Sequence, residues 1–202
     1  MNIFLISGYA GVGKSSVAKL LKSLRPCCEQ TSFAKHVKNF VALHYDIERH
    51  MFDTQEGKKT VVESTHGIFT VRDLMIIHAE SAKRKRGEGV WAEAVVAEIK
   101  SRPDVQNWIL DDWRFPIEYT VLREQFGEAK IHRIRVINTN IGPYNAAEKR
   151  IDDEPMQCII DNTLHNCMDA IVQLNSEIKG INPPFKPPFF SIYKTGEYRN
   201  IS

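Results

Sequence analysis

A phosphate-loop pattern near the start of the chain constrains its fold more than any other feature. Residues 8–15 read Gly-Tyr-Ala-Gly-Val-Gly-Lys-Ser and fit the pattern GxxxxGK[ST]. An apolar run from Asn2 to Ser7 precedes the pattern, and an apolar helical stripe from Val17 to Leu24 follows it. A strand, a glycine-rich turn and a helix in this order predict a loop that binds a nucleoside triphosphate, with the helix N-terminus facing the phosphates.

Each position of the loop has a chemical reason. Glycines let backbone N–H groups close around phosphate oxygens. Lys14 is placed to reach the β and γ phosphates, and the hydroxyl of Ser15 is placed to ligate Mg²⁺. The predicted ATP-binding residues of the loop are Gly8, Gly11, Gly13, Lys14, Ser15 and Ser16.

The bulk properties of the chain narrow the function classes. Its 202 residues suffice for one α/β domain and are too few for two ordinary ones. An apolar fraction of 43% and a net charge of +2 favour a soluble globular protein and argue against nucleic acid as the main partner. No stretch reaches the roughly 18 apolar residues of a membrane span, and the cysteines lack zinc spacing. We therefore expect a cytoplasmic protein without a membrane partner.

Strand-like and helix-like segments alternate along the chain, which is typical of a parallel sheet covered by helices. The predicted strands are 2–7, 108–111, 131–137 and, more weakly, 158–160; the predicted helices are 15–24, 34–44, 71–85, 90–100, 116–126 and 166–178. Residues 46–69 are polar and aperiodic. They predict an excursion over the C-terminal edge of the sheet, where α/β enzymes bind ligands.

A second feature lies at the end of the predicted strand 108–111. Residues 108–118 read Trp-Ile-Leu-Asp-Asp-Trp-Arg-Phe-Pro-Ile-Glu. A carboxylate at this edge, which we assign to Asp112, can hold Mg²⁺ through water, and Arg114 can neutralise charge on a transferred phosphoryl group. A helix N-cap and a surface ion pair ahead of Pro116 would explain the same residues.

Over most of residues 1–178 the chain resembles the deoxynucleoside monophosphate kinases of the bacteriophage type. Besides the phosphate loop, the motifs that carry the resemblance are Ser32-Phe33-Ala34 with Lys35 and Lys38, Thr70-Val71-Arg72-Asp73-Leu74, Trp91, Asp112-Trp113-Arg114-Phe115 with Glu118, and Ile160-Asp161-Asn162. The resemblance implies a three-layer α/β/α P-loop kinase with a five-stranded parallel sheet, a small lid and a helical insertion that binds the acceptor. It also implies transfer of the γ-phosphoryl group of ATP to a deoxynucleoside 5′-monophosphate, with Mg²⁺ as cofactor, in viral deoxynucleotide metabolism in the host cytoplasm.

The resemblance also implies roles for individual residues. The acceptor-binding residues would be Lys35, Lys38, Arg72, Glu80, Trp91, Asp112 and Arg114, and the metal ligands would be Ser15 and Asp112. Lys14, Arg114 and Arg150 would be catalytic, with Arg150 in a lid at about residues 139–157 that excludes water. Asn162 would approach the adenine, although an N-cap for the last helix explains it equally well. Where the family tends to carry Gly-Thr-Glu, this chain reads His-Ala-Glu at residues 78–80, without the glycine.

Two alternative functions remain open at this level. One is a P-loop kinase for dephospho-coenzyme A or phosphomevalonate, and the other is a nucleotide-dependent binding module. GTPases are disfavoured because the chain has neither an NKxD-like nor a DxxG segment. The kinase domain would span residues 1–180, and the Pro- and Phe-rich tail 181–202 would pack on the core or on a second subunit. A homodimer is therefore also left open.

Overall fold

The computed structural model of the chain describes residues 1–64, 67–143, 149–163 and 168. The strands are β1 (Asn2–Ser7), β2 (Cys28–Thr31), β3 (Val61–Ser64), β4 (Gly67–Thr70), β5 (Asn107–Leu110), β6 (Ile131–Ile137) and β7 (Cys158–Asp161). The helices are α1 (Lys14–Leu24), α2 (Phe33–Tyr45), α3 (Gln55–Lys59), α4 (Val71–Arg86), α5 (Val90–Ser101) and α6 (Pro116–Phe126). Short 3₁₀ turns lie at Arg49–Phe52 and Glu128–Lys130.

Five of the strands form one sheet in the order β2-β5-β1-β6-β7, and every neighbouring pair is parallel. The central strand β1 pairs with β5 on one side and with β6 on the other. Because all five strands run the same way, their carboxyl ends meet at one edge of the sheet. The predicted α/β fold with a five-stranded parallel sheet is confirmed.

Helices cover both faces of this sheet. Along β1, Ile3 and Leu5 face a cluster formed with α5 and α6, whereas Phe4 and Ile6 face a cluster formed with α1. All four side chains are fully buried. A continuous apolar run such as this one is typical of a strand buried on both faces, and it explains why β1 was recognisable in the sequence.

A third, smaller apolar cluster joins α2, α4 and the 3₁₀ turn between them. Its buried members are Val37, Val41, Phe52, Val71 and Leu74. Residues 46–69, predicted as an irregular excursion, contain the 3₁₀ turn, α3 and the antiparallel hairpin of β3 and β4. We call residues 33–86, which surround this cluster, the α2–α4 unit.

Strand β2 was not predicted. Its sequence, Cys-Glu-Gln-Thr, has no apolar alternation, and among the described strands it pairs with β5 alone, at the edge of the sheet. The predicted helix 166–178, the tail 181–202 and residues 144–148 of the predicted lid lie outside the described residues, apart from Met168.

Among the described residues, no helix has both the length and the apolar character needed to span a membrane.

The α2–α4 unit depends on Phe52, which is fully buried at its centre. We expect Phe52→Ala to lower the free energy of unfolding by about 3–5 kcal/mol, since it removes a large buried ring and leaves a cavity. Urea unfolding measures this change. Leu43→Ala is the control, because Leu43 is 88% exposed on α2, and it should change stability by less than about 0.5 kcal/mol. Equal losses in the two variants would contradict the assignment of this core.

Candidate functional site

The phosphate loop has a backbone that only glycine adopts easily at two key positions. Gly8 has φ of 143° and Gly13 has φ of 100°. A Cβ atom on Gly8 would lie 2.4 Å from the Val136 carbonyl oxygen, and one on Gly13 would lie 2.3 Å from Nδ2 of Asn162. Both glycines are therefore required by close packing of the loop as well as by its dihedral angles.

Asn162 fixes the loop from the end of β7. Its Nδ2 donates to the Val12 carbonyl at 2.9 Å, and its backbone N–H donates to the Ile137 carbonyl at 2.8 Å. The residue is buried. The structure thus gives Asn162 an anchoring role for the loop. The adenine contact stays a prediction, and the last helix that Asn162 was expected to cap lies outside the described residues, apart from Met168.

The side chains of the loop lie at the start of α1. The Lys14 ammonium donates to the carbonyls of Gly8 and Tyr9, at 2.7 and 2.8 Å, and so lies over its own loop. Ser15 and Ser16 are exposed in the first helical turn. Gly11 is exposed as well, with a φ of 84°. The predicted loop residues are therefore close together at the carboxyl edge of the sheet.

Asp111 is the carboxylate that faces the loop. Its Oδ2 lies 3.4 Å from Oγ of Ser15 and accepts a hydrogen bond from Nε2 of Gln30 at 3.0 Å. A hydroxyl and a carboxylate oxygen at this separation form a hard donor set that suits Mg²⁺. The geometry therefore favours Asp111 over Asp112 as the carboxylate beside Ser15, and the metal-binding role itself stays a prediction.

Asp112 instead joins β5 to α2. Its two carboxylate oxygens accept from the backbone N–H groups of Phe33 and Ala34, at 3.0 and 2.9 Å, in the first turn of α2. Burial raises the pKa of Asp112 to about 6, although these N–H donors and Arg114 act in the opposite direction. Both carboxylate oxygens of Asp112 are therefore used in holding the first turn of α2.

The alternation of side chains in β5 explains why Asp111, and not Asp112, faces the phosphate loop. Ile109 faces the cluster that contains α1, and Leu110 faces the opposite cluster. Continuing the period of two past the end of the strand places Asp111 on the α1 side and Asp112 on the other. This signal was present in the sequence and could have identified Asp111.

Glu118 holds the backbone that follows. Its Oε2 accepts from the N–H groups of Arg114 and Phe115, at 2.9 and 3.0 Å. Burial, together with the charge of Asp112, raises the pKa of Glu118 to about 8. The buried carboxyl group of Glu118 therefore fixes the backbone at Arg114 and Phe115, while the side chain of Arg114 stays exposed.

Three cations, from α2, α3 and α4, lie near Arg114 of this segment. Burial and the charges of Lys38, Arg72 and Arg114 lower the pKa of the Lys58 ammonium. Lys38 donates to Asp53 at 2.8 Å, and Arg72 donates to Gln55 of α3 at 2.8 Å. Lys38, Arg72 and Arg114 were predicted from the sequence, whereas Lys58 was missed. Lys58 lies in a polar segment that gave no sequence signal.

Three predicted acceptor residues lie elsewhere. The Lys35 ammonium forms an ion pair with Glu98 of α5. Glu80 is exposed and pairs with Lys83 at 3.1 Å. Trp91 packs between two of the apolar clusters and donates from Nε1 to the carbonyl of Ala79. These side chains make contacts within the chain, and the acceptor roles of Lys35, Glu80 and Trp91 stay predictions.

Arg150 does approach the site. Its guanidinium carbon lies 4.9 Å from the centroid of the Phe115 ring, and the ammonium of Lys83 lies 4.2 Å from the same centroid. Phe115 follows Arg114 directly, so Arg150 lies next to the segment that carries the predicted catalytic arginine. The expectation that this part of the chain is a lid stays a prediction.

Comparison with known proteins adds little to this geometry. A scan against protein-family models finds no match, and neither does a search of the curated proteins. One similar solved structure is that of an unliganded sugar kinase from Janibacter sp., with 13% identity and a TM-score of 0.38. The alignment covers 92% of this chain and 81% of that kinase. Identity and TM-score this low support no argument about function, so the site is interpreted from its own residues.

The raised pKa of Glu118 makes stability depend on pH. In the folded chain this pKa is about 8 instead of 4.5. Between these two pH values Glu118 ionises in the unfolded chain but stays protonated in the folded chain, so stability falls as pH rises from about 4.5 to about 8. Glu118→Gln cannot ionise, and its free energy of unfolding relative to wild type should increase by roughly 1–3 kcal/mol between about pH 5 and 8. Urea unfolding at both pH values measures the difference.

The matched control for this experiment is Glu124→Gln, which makes the same change at an exposed position of the same helix. Its stability relative to wild type should be nearly independent of pH. If Glu118→Gln behaves like the control, Glu118 is ionised in the folded chain and its raised pKa is refuted.

Proposed function

We propose that the chain transfers the γ-phosphoryl group of ATP to a deoxynucleoside 5′-monophosphate and releases ADP and the diphosphate. The observation that carries the proposal is the arrangement at one sheet edge. The phosphate loop contacts the segment 111–114 at Asp111, and Arg114 of the same segment lies near Lys58, which is also near Lys38 and Arg72. A site with this charge pattern suits a reaction in which both the donor and the acceptor are phosphates. The choice of a deoxynucleoside rests on the sequence resemblance.

On the donor side, the loop N–H groups and Lys14 bind the phosphates of ATP. Ser15 and Asp111 are the residues that would hold Mg²⁺, and the bound ion would neutralise charge on the β and γ phosphates. Gln30 orients Asp111 through its 3.0 Å hydrogen bond. This assignment differs from the sequence-based one only in using Asp111, and not Asp112, as the carboxylate that would bind the metal.

On the acceptor side, Lys38, Lys58 and Arg72 bind the acceptor phosphate. Arg114 lies near enough to Lys58 to lower its pKa and lies three residues after Asp111, so it can contact the transferred group. An oxygen of the acceptor phosphate forms a bond to the γ phosphorus, and the bond from that phosphorus to the β–γ bridging oxygen breaks. The attacking oxygen is already ionised at neutral pH, so positioning and charge stabilisation suffice without a general base.

The proposal also covers the ligands of the enzyme and its cellular compartment. ATP and a deoxynucleoside monophosphate are its partners, the cytoplasm is its compartment, and that compartment is the host's if the chain is viral. Kinases of dephospho-coenzyme A and of phosphomevalonate would need the same pair of phosphate sites, so the acceptor must be identified by assay.

The decisive assay is ADP release with each deoxy- and ribonucleoside monophosphate, and with dephospho-coenzyme A and phosphomevalonate as competing candidates. We expect stimulation by one or more deoxynucleoside monophosphates. Lys14→Ala should remove this activity by roughly 10³-fold or more without unfolding the chain, because Lys14 stabilises transition-state charge and not the core. Stimulation only by another acceptor, or slow hydrolysis that no acceptor stimulates, would refute the proposal.

The acceptor site gives a separate prediction. Lys58→Met should raise the acceptor KM about tenfold with little change in kcat, because it removes one charged contact made in both the ground and transition states. Lys59→Met is the matched control, since Lys59 is the exposed neighbour in α3. Equal effects of the two lysine substitutions would remove Lys58 from the site.

Arg114→Ala should instead lower kcat with every acceptor.

A further inference from the structure

Three consecutive residues of one turn contact three different parts of the molecule. Arg150 lies over Phe115, which follows the predicted catalytic arginine in the chain. Ile151 is only 2% exposed and belongs to the main apolar cluster. Asp152 points to the phosphate loop, where its carboxylate contacts Tyr9. The turn therefore joins the donor side to the segment between donor and acceptor.

The contact of Asp152 with the loop is a three-residue network. The Tyr9 hydroxyl donates to Oδ2 of Asp152 at 2.7 Å, and Nη2 of Arg135 donates to Oδ1 at 2.5 Å. The guanidinium of Arg135 also lies 4.8 Å from the centroid of the Tyr9 ring. Both carboxylate oxygens are thus used, each in a charge-assisted hydrogen bond.

The two partners of Asp152 are themselves held firmly. Arg135 lies in β6 opposite Ser7 of β1, and its side chain is 11% exposed. Tyr9 is the second residue of the phosphate loop, and its carbonyl accepts from the ammonium of Lys14. The same tyrosine therefore contacts the donor-binding lysine with its backbone and the 150–152 turn with its hydroxyl.

We propose that Asp152, held by the Tyr9 hydroxyl and Arg135, is a positioning residue that places Arg150 for phosphoryl transfer. The inference rests on the proposed kinase function. Arg150 lies two residues before Asp152, which is hydrogen-bonded to the phosphate loop, with the buried Ile151 between them. A small displacement of a charge-stabilising group lowers the rate strongly, so a fixed turn has a direct effect on turnover.

A double-mutant cycle tests this coupling. Asp152→Asn and Tyr9→Phe should each lower kcat about tenfold with a smaller change in the KM for ATP. In an Arg150→Met background, the same substitutions should lower kcat by less than about twofold, because there is no arginine left to position. Asp153→Asn, the same chemical change one residue later at an exposed position, is the control and should leave kcat within about twofold.

Equal losses in the wild-type and Arg150→Met backgrounds would overturn the proposal, because the network would then act independently of Arg150. A wild-type chain that phosphorylates no acceptor would refute the proposed function instead. In that case, amide hydrogen exchange of residues 149–154 tests, without any activity measurement, whether the Tyr9–Asp152–Arg135 network holds the turn. Tyr9→Phe should increase exchange there about tenfold, while Asp153→Asn should not, and unchanged exchange in Tyr9→Phe would show that the hydroxyl does not hold the turn.

Discussion

The site depends on the central position of β1, which is hydrogen-bonded in parallel to β5 and to β6. Because the three strands end at the same edge, the loop that follows Ser7 lies beside Asp111 and beside the chain that leaves β6. The loop is then closed from the next strand, since Asn162 at the end of β7 binds the Val12 carbonyl. The position of the proposed donor site thus depends on the strand order as well as on the sequence of the loop.

Buried carboxyl groups extend this arrangement toward the acceptor side. Asp112 binds the first turn of α2, and Glu118 binds the backbone of residues 114 and 115. Their raised pKa values reflect the cost of desolvating charge, which hydrogen bonds offset only in part. Both carboxyl groups therefore serve the geometry of the 111–115 segment through hydrogen bonds to backbone N–H groups. Their effect is to fix the backbone of Arg114 while its side chain stays exposed.

The sequence predicted those parts of the fold that depend on local pattern. The buried strands β1 and β6 and the helix α6 were found with their observed bounds because their apolar periodicity is strong. Strand β2 was missed because its polar residues carry no strand pattern, and it is a strand only because it pairs with β5 at the edge of the sheet. The same limit applies to the site. Lys14 and Ser15 follow from a motif, whereas Lys58 joins the cation cluster only through tertiary packing of the α2–α4 unit.

The cations of this cluster do not have equal capacity to bind an acceptor phosphate. Lys38 already pairs with Asp53 at 2.8 Å, so a phosphate would have to displace a carboxylate of similar charge. Arg72 would give up only the neutral amide oxygen of Gln55. Within the part of the chain that the structure describes, the Lys58 ammonium has no ion pair. Burial and three neighbouring cations disfavour its charged form, and the charge of Asp53 acts in the opposite direction. A phosphate dianion would relieve that repulsion directly, so Lys58 should contribute more to acceptor binding than Lys38, although the sequence motif favoured Lys38.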